Sequence, residues 1–170
     1  HPSWCFDHVM LGLPGRDQQL ENLFTTIHNM GRAGIPYVGY NWMVNPARLW
    51  RFSTRTSVNY PARGGAHSDL LDMAEVDEAP LFRDREYGAD EMWENYEYFV
   101  RAIVPVLEES GVRMGLHPDD PPTPKVGGIA RIFHSPEGYQ RAMDLAGSPA
   151  SAVNFCLGNW TAMGTDIPAS

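Results

Sequence analysis

Apolar side chains in this chain repeat with two different spacings, and the switches between them predict its elements. Leu20, Leu23, Phe24, Ile27 and Met30 recur every three or four residues, the spacing of one helix face. Asp17, after the Leu13-Pro14-Gly15 turn, is placed to cap that helix, and Gly31 and Gly34 are placed to end it. Tyr37 to Met43 follows a Gly-Ile-Pro break and reads as a buried strand. Helical spacing returns with Met92, Tyr96, Phe99, Ile103 and Val106, predicting a helix over 90–110 capped by Asp90 and closed by Gly111. Pro105 removes one bond inside it and predicts a kink. Val112 to Leu116 is a strand that delivers His117 into a proline-rich loop over 118–124. Ile129 to Phe133 is a short extended segment. Ser135 or Pro136 then opens a helix through Tyr139, Met143 and Leu145 that stops at Gly147, and Ala152 to Phe155 is the last strand.

Alternating strands and helices predict an α/β fold with parallel strands. That order places two side chains together. If the last two strands run parallel through a helical crossover, His117 and Cys156 leave the same end of one sheet on neighbouring strands. Antiparallel pairing would send them to opposite ends. Between Val44 and Pro80 no period holds, and more than about 30 residues of loop inside a domain points to a functional excursion. Arg48, Arg51, Arg55 and Arg63 supply cations there that could reach a carboxylate; a solvated loop is the equal alternative. His67 has no evident partner, and His28 reads as a surface or satisfied polar residue.

The length of 170 residues suits one domain. A net charge of −8 without any Lys/Arg cluster argues against nucleic acid as a partner. Lys125 is the lone lysine, so the cations are arginines, which pair with carboxylates through two parallel bonds. Two cysteines, Cys5 and Cys156, are too few for a disulfide scaffold and read as reduced and cytoplasmic. No apolar run reaches the ~18 residues that would span a membrane.

His117 offers an imidazole and Cys156 a thiolate, two of the donors a divalent metal takes. Asp119 and Asp120 stand close enough to orient His117 or a substrate hydroxyl. The plainer alternatives are a cysteine acting as a small hydrophobe and a histidine that merely ends a strand. A nucleophilic Cys–His pair is a third, without an identified residue to orient it.

Six blocks occur in order over nearly the whole chain. They are Leu11-Gly12-Leu13-Pro14-Gly15-Arg16-Asp17, Tyr40-Asn41-Trp42-Met43, Arg55-Thr56, Asp72-Met73-Ala74-Glu75, His117-Pro118-Asp119-Asp120-Pro121-Pro122 with Gly127 to Ile132, and Asn154-Phe155-Cys156-Leu157-Gly158. Together they resemble the mannonate dehydratase family. The resemblance implies a partial (β/α)8 TIM barrel of the xylose-isomerase-like type with parallel strands. Because such barrels need about 250 residues, residues 1–170 are expected to be its central segment, with N- and C-terminal strands missing. It implies a metal-dependent lyase that removes water from D-mannonate to give 2-dehydro-3-deoxy-D-gluconate in hexuronate catabolism. The implied metal is Mn2+, with Fe2+ as the alternative. His117 and Cys156 become metal ligands, while the other ligands and the catalytic residues fall beyond residue 170. Asn41, Arg55, Asp119 and Arg131 are the expected substrate-side residues. The expected partner is a small sugar acid, in a cytoplasmic homo-oligomer. A related-barrel sugar isomerase or epimerase, or an inactive fragment, remain the alternatives.

Overall fold

The computed structural model describes residues 6–44 and 55–167. In chain order its helices and strands begin with α1 (Asp7–Met10), α2 (Arg16–Arg32), β1 (Tyr37–Asn41), β2 (Ser57–Pro61), β3 (His67–Leu70) and α3 (Met73–Asp77). They continue with α4 (Ala89–Ser110), β4 (Arg113–His117), β5 (Lys125–Val126), β6 (Ile129–Ala130), α5 (Pro136–Ala146), β7 (Ser151–Val153) and α6 (Leu157–Ala162). The centre is a parallel sheet in the order β1-β4-β7, as the alternating pattern predicts. β1 runs beside β4 with Asn41 opposite His117, and β4 runs beside β7 with Leu116 opposite Val153.

Strand alternation gives this sheet two unlike faces. Val38, Tyr40, Met114 and Leu116 share one face. Tyr40, Met114 and Leu116 are buried beneath the helices, and the Phe99 ring of α4 lies 5.7 Å from that of Tyr40. The Tyr40 and Tyr96 hydroxyls meet at 3.0 Å, which satisfies two polar groups inside the core. Tyr37, Gly39, Asn41, Gly115 and His117 share the other face. Tyr37 lies across Gly115, where an added Cβ would stand 1.7 Å from its hydroxyl, and the Asn154 amide reaches to 3.4 Å from the Cβ position of Gly39. One face is greasy and covered; the other is small, polar and leads to His117.

Several element ends differ from the sequence expectation. Gly15, not Asp17, caps α2, and Gly88, not Asp90, caps α4; the two aspartates sit in the first turns, where a negative charge still favours the helix N-terminus. Gly31 lies inside α2 and does not end it. It lets α2 press against α4, because a Cβ there would stand 2.5 Å from the Ser110 carbonyl. Beside it the Ser110 hydroxyl meets His28 Nδ1 at 3.0 Å, so His28 is the satisfied polar residue expected. The buried stripe of α4 continues to Leu107 rather than Val106, and α4 passes through Pro105 as a single helix. β1 stops at Asn41 and β7 at Val153, earlier than predicted.

The aperiodic stretch holds structure after all: β2 and β3 form an antiparallel hairpin, and α3 follows. The segment at Ile129 is half of a second hairpin, with Lys125 opposite Ala130. Its two-residue turn is Gly127-Gly128 at φ 55° and 78°, a turn that needs positive φ at both positions.

Candidate metal centre at the ends of β4 and β7

The strand order brings His117 and the Asn154–Cys156 turn to one end of the sheet. The Asn154 amide donates to the Leu116 carbonyl at 2.9 Å, extending the β4–β7 pairing one step beyond Val153. His117 and Asn154 are therefore neighbours on strands about 4.8 Å apart, with Cys156 two residues farther on. Asn41 stands opposite His117 on the other side. Three strand ends thus present an amide, an imidazole and the approach to a thiol.

The His117 ring is oriented by its own chain. Its Nδ1 lies 2.8 Å from the Pro118 carbonyl oxygen, which can only accept, so the proton sits on Nδ1. In the neutral ring that tautomer has its lone pair on Nε2, the arrangement typical of a metal-binding imidazole.

Cys156 is a half-buried free thiol at the N-cap of α6. Its amide donates to the Asn154 carbonyl at 2.9 Å, and its own carbonyl accepts from Trp160 at 3.0 Å. The thiol donates to Asn159 Oδ1 at 3.5 Å. On its other side Asn159 Nδ2 donates to the Asp119 carbonyl at 3.0 Å. Asn159 was not singled out from sequence. Its position three residues after a strand-end cysteine, in the first turn of a helix, was the available signal.

Asp119 is fully buried. Its Oδ2 accepts from the Phe133 amide at 2.7 Å, and its amide donates to the Phe133 carbonyl at 3.1 Å. Oδ1 lies 3.9 Å from Arg131 Nη1, and Arg131 is 2% exposed. Burial raises the Asp119 carboxyl to about 6, against the pull of Arg131, the Phe133 amide and two nearby histidines. Burial likewise lowers Arg131, with Asp119 opposing it. Asp119 and Arg131 therefore face each other inside the protein, behind the loop that begins at His117.

Arg55 is tied to that loop from the outside, with Nη1 at 3.0 and 3.1 Å from the two Asp120 carboxylate oxygens. The Asp120 amide approaches Met43 Sδ at 3.1 Å. Arg63 and His67 are exposed on the β2–β3 hairpin, while Arg48 and Arg51 lie outside the described residues. Asn41 Oδ1 is buried without a hydrogen bond among the described residues.

The donor chemistry fits a divalent cation: an imidazole with Nε2 available and a thiol at adjacent strand ends. Among the described residues no group of three or more His, Cys, Asp and Glu side chains is placed to hold one. His117 and Cys156 are the candidate donors at these strand ends.

A parallel α/β sheet with such side chains at the carboxyl ends of its strands marks the class: an α/β segment with a candidate metal centre. The model of the D-mannonate dehydratase (UxuA) family matches residues 4–84 and 80–169. The chain belongs to that family. A mannonate dehydratase from Streptococcus equi subsp. zooepidemicus is 35% identical over 180 residues, covering 91% of this chain and 47% of the relative. One from Endomicrobium trichonymphae is 30% identical over 184 residues, covering 90% of this chain and 49% of the relative. The crystal structure of mannonate dehydratase from Streptococcus suis serotype 2 superposes with a TM-score of 0.74 at 33% identity, covering 91% of this chain and 46% of that one. The chain thus spans about half the length of the curated relatives it matches. Among the described residues no helix is long and apolar enough to cross a membrane.

Proposed function

We propose that this chain is the central segment of a (β/α)8-barrel mannonate dehydratase, with His117 and Cys156 as two ligands of its catalytic metal. The observation that carries the reading is the parallel register of β4 and β7, which brings both donors to one end of the sheet within a chain of this family. The three-stranded sheet, with helices on one face and a small, polar opposite face, supports a barrel wall whose interior holds the site. The substrate is D-mannonate and the product 2-dehydro-3-deoxy-D-gluconate, in a cytoplasmic enzyme.

Dehydration removes the proton at C2, beside the carboxylate, and expels the C3 hydroxyl. A bound divalent cation supplies Lewis-acid stabilisation for the charge that builds on the carboxyl group. His117, with Nδ1 held by Pro118, presents Nε2 in a fixed orientation, and Cys156 presents sulfur. Mn2+ and Fe2+ are both compatible with an imidazole, and the thiolate favours the softer iron more than carboxylate ligands would. Arg55, paired with Asp120 at the edge of the loop, is the cation assigned here to the substrate carboxylate. Asn41 contributes an amide beside His117. Asp119 and Arg131 serve the site from behind the loop, where they hold the backbone after His117. The remaining ligands and the acid–base pair lie outside these residues.

The test is an assay of D-mannonate conversion by the protein from its full reading frame, after chelation and after Mn2+ or Fe2+ is restored. Activity is expected to vanish and return. Full turnover in the chelated protein would refute the metal mechanism.

A further inference from the structure

The two donors sit on separate turns, and one side chain joins those turns. Asn159 Nδ2 donates at 3.0 Å to the carbonyl of Asp119, two residues after His117. Asn159 Oδ1 accepts at 3.5 Å from the Cys156 thiol. A carbonyl can only accept, so the Asp119 oxygen fixes which end of the amide faces which partner. The anchor itself is fastened: Asp119 exchanges two hydrogen bonds with Phe133, at 2.7 and 3.1 Å. The turn bearing Cys156 is open by contrast. Phe155 is 44% and Leu157 59% exposed, and Trp160 anchors α6 by packing 5.1 Å from the Tyr139 ring.

The geometry points to Asn159 as a positioning residue that sets Cys156 relative to His117 by clamping the start of α6 to the Asp119 carbonyl. This rests on the reading above that both side chains bind one metal. When the thiol releases its proton to solvent and its sulfur binds a cation, the Sγ–H···Oδ1 bond is lost. The Nδ2–H···O bond to Asp119 involves no group that ionises on loading, so the clamp persists. Trp160 packs α6 against the core; Asn159 ties its first turn to the His117 loop. Groups of this kind, one step removed from the metal, typically change affinity by about 10–100-fold when removed.

The experiment loads Co2+ onto the protein from its full reading frame and compares wild type with Asn159→Ala, Asn159→Leu and Cys156→Ser. The Leu variant keeps the side-chain volume while deleting both hydrogen bonds, so the test survives a folding failure of the Ala variant. The readouts are Co2+ affinity and the thiolate-to-cobalt charge-transfer absorption, which a role confined to packing would leave unchanged. The expected result is about 10–100-fold weaker binding for the Asn159 variants, with a shifted or weakened absorption in protein of native fold. Folded variants that bind Co2+ within about twofold of wild type, with the same absorption, would overturn the clamp while the Cys156→Ser loss leaves the ligand reading intact. If Cys156→Ser itself keeps the absorption and the affinity, the ligand reading falls and the clamp with it.

Discussion

The turns after β4 and β7 do the same job by different means. After β4, the loop is fastened at nearly every residue: His117 to Pro118, Asp119 to Phe133, and Asp120 to Arg55 and Met43. After β7, the turn carries exposed Phe155 and Leu157 and is held by its own backbone bonds, Trp160 packing and the Asn159 amide. One donor is preorganised by its own loop. Cys156 is linked, through Asn159, to its neighbour's loop. A site built this way depends most on the fastened side, because the β7 turn borrows its anchor from Asp119.

Breaking the fastened side should cost the most. Asp119→Ala removes the acceptor of the Phe133 amide and takes away the carboxyl that faces the buried Arg131 at 3.9 Å. Loss of one partner from a buried pair costs on the order of 3–5 kcal/mol, measured as a fall in the urea-unfolding free energy of the metal-free chain. A loss below about 1 kcal/mol would mean that the loop is held by other contacts.

The same carboxyl sharpens the comparison through pH. Its folded pKa is raised from 3.8 to about 6 by burial, so the folded state binds the proton more tightly than the unfolded state. The stability it contributes is complete below about 4 and is lost as pH rises through about 6, amounting to about 3 kcal/mol. Other carboxylates add their own pH dependence, so the readout is the difference between wild type and Asp119→Asn. That difference should move against wild type as pH rises from 4 to 6. A flat difference would place Asp119 in a more polar setting than the structure shows.

The outer fastening of the loop should matter least for stability. Arg55 and Asp120 are partly exposed, with side chains 36% and 25% accessible, and such pairs contribute roughly 0.2–1 kcal/mol. Arg55→Ala should therefore leave the melting temperature nearly unchanged while raising KM for D-mannonate in the full-length enzyme. An unchanged KM would remove Arg55 from the substrate side.

The same contrast explains what could be read from sequence. The parallel order of β1, β4 and β7 followed from alternating periods, because each strand and helix buries one face. That order alone brought His117 and Cys156 to one end. The Gly15 and Gly88 caps were hidden because aspartates two residues on offered a better-known signal and were given that role. Gly31 looked like a helix stop because its cause, the approach of Ser110, lies 79 residues away in sequence. The β2–β3 hairpin carries neither clean alternation nor a buried face, and all of its residues from Val58 to Asp69 are exposed. Gly127-Gly128 is a turn signal legible in the sequence. Asn159 and the Asp119–Arg131 pairing depend on contacts between loops, which no local pattern encodes.

Shared ligation by His117 and Cys156 is tested most directly by X-ray absorption on the Zn2+-loaded protein from the full reading frame. The expected spectrum has one sulfur scatterer at about 2.3 Å together with imidazole nitrogen at about 2.0–2.1 Å. The sulfur shell should disappear in Cys156→Ser and the imidazole contribution should weaken in His117→Ala. A wild-type spectrum built from oxygen and nitrogen alone, unchanged in both variants, would contradict it.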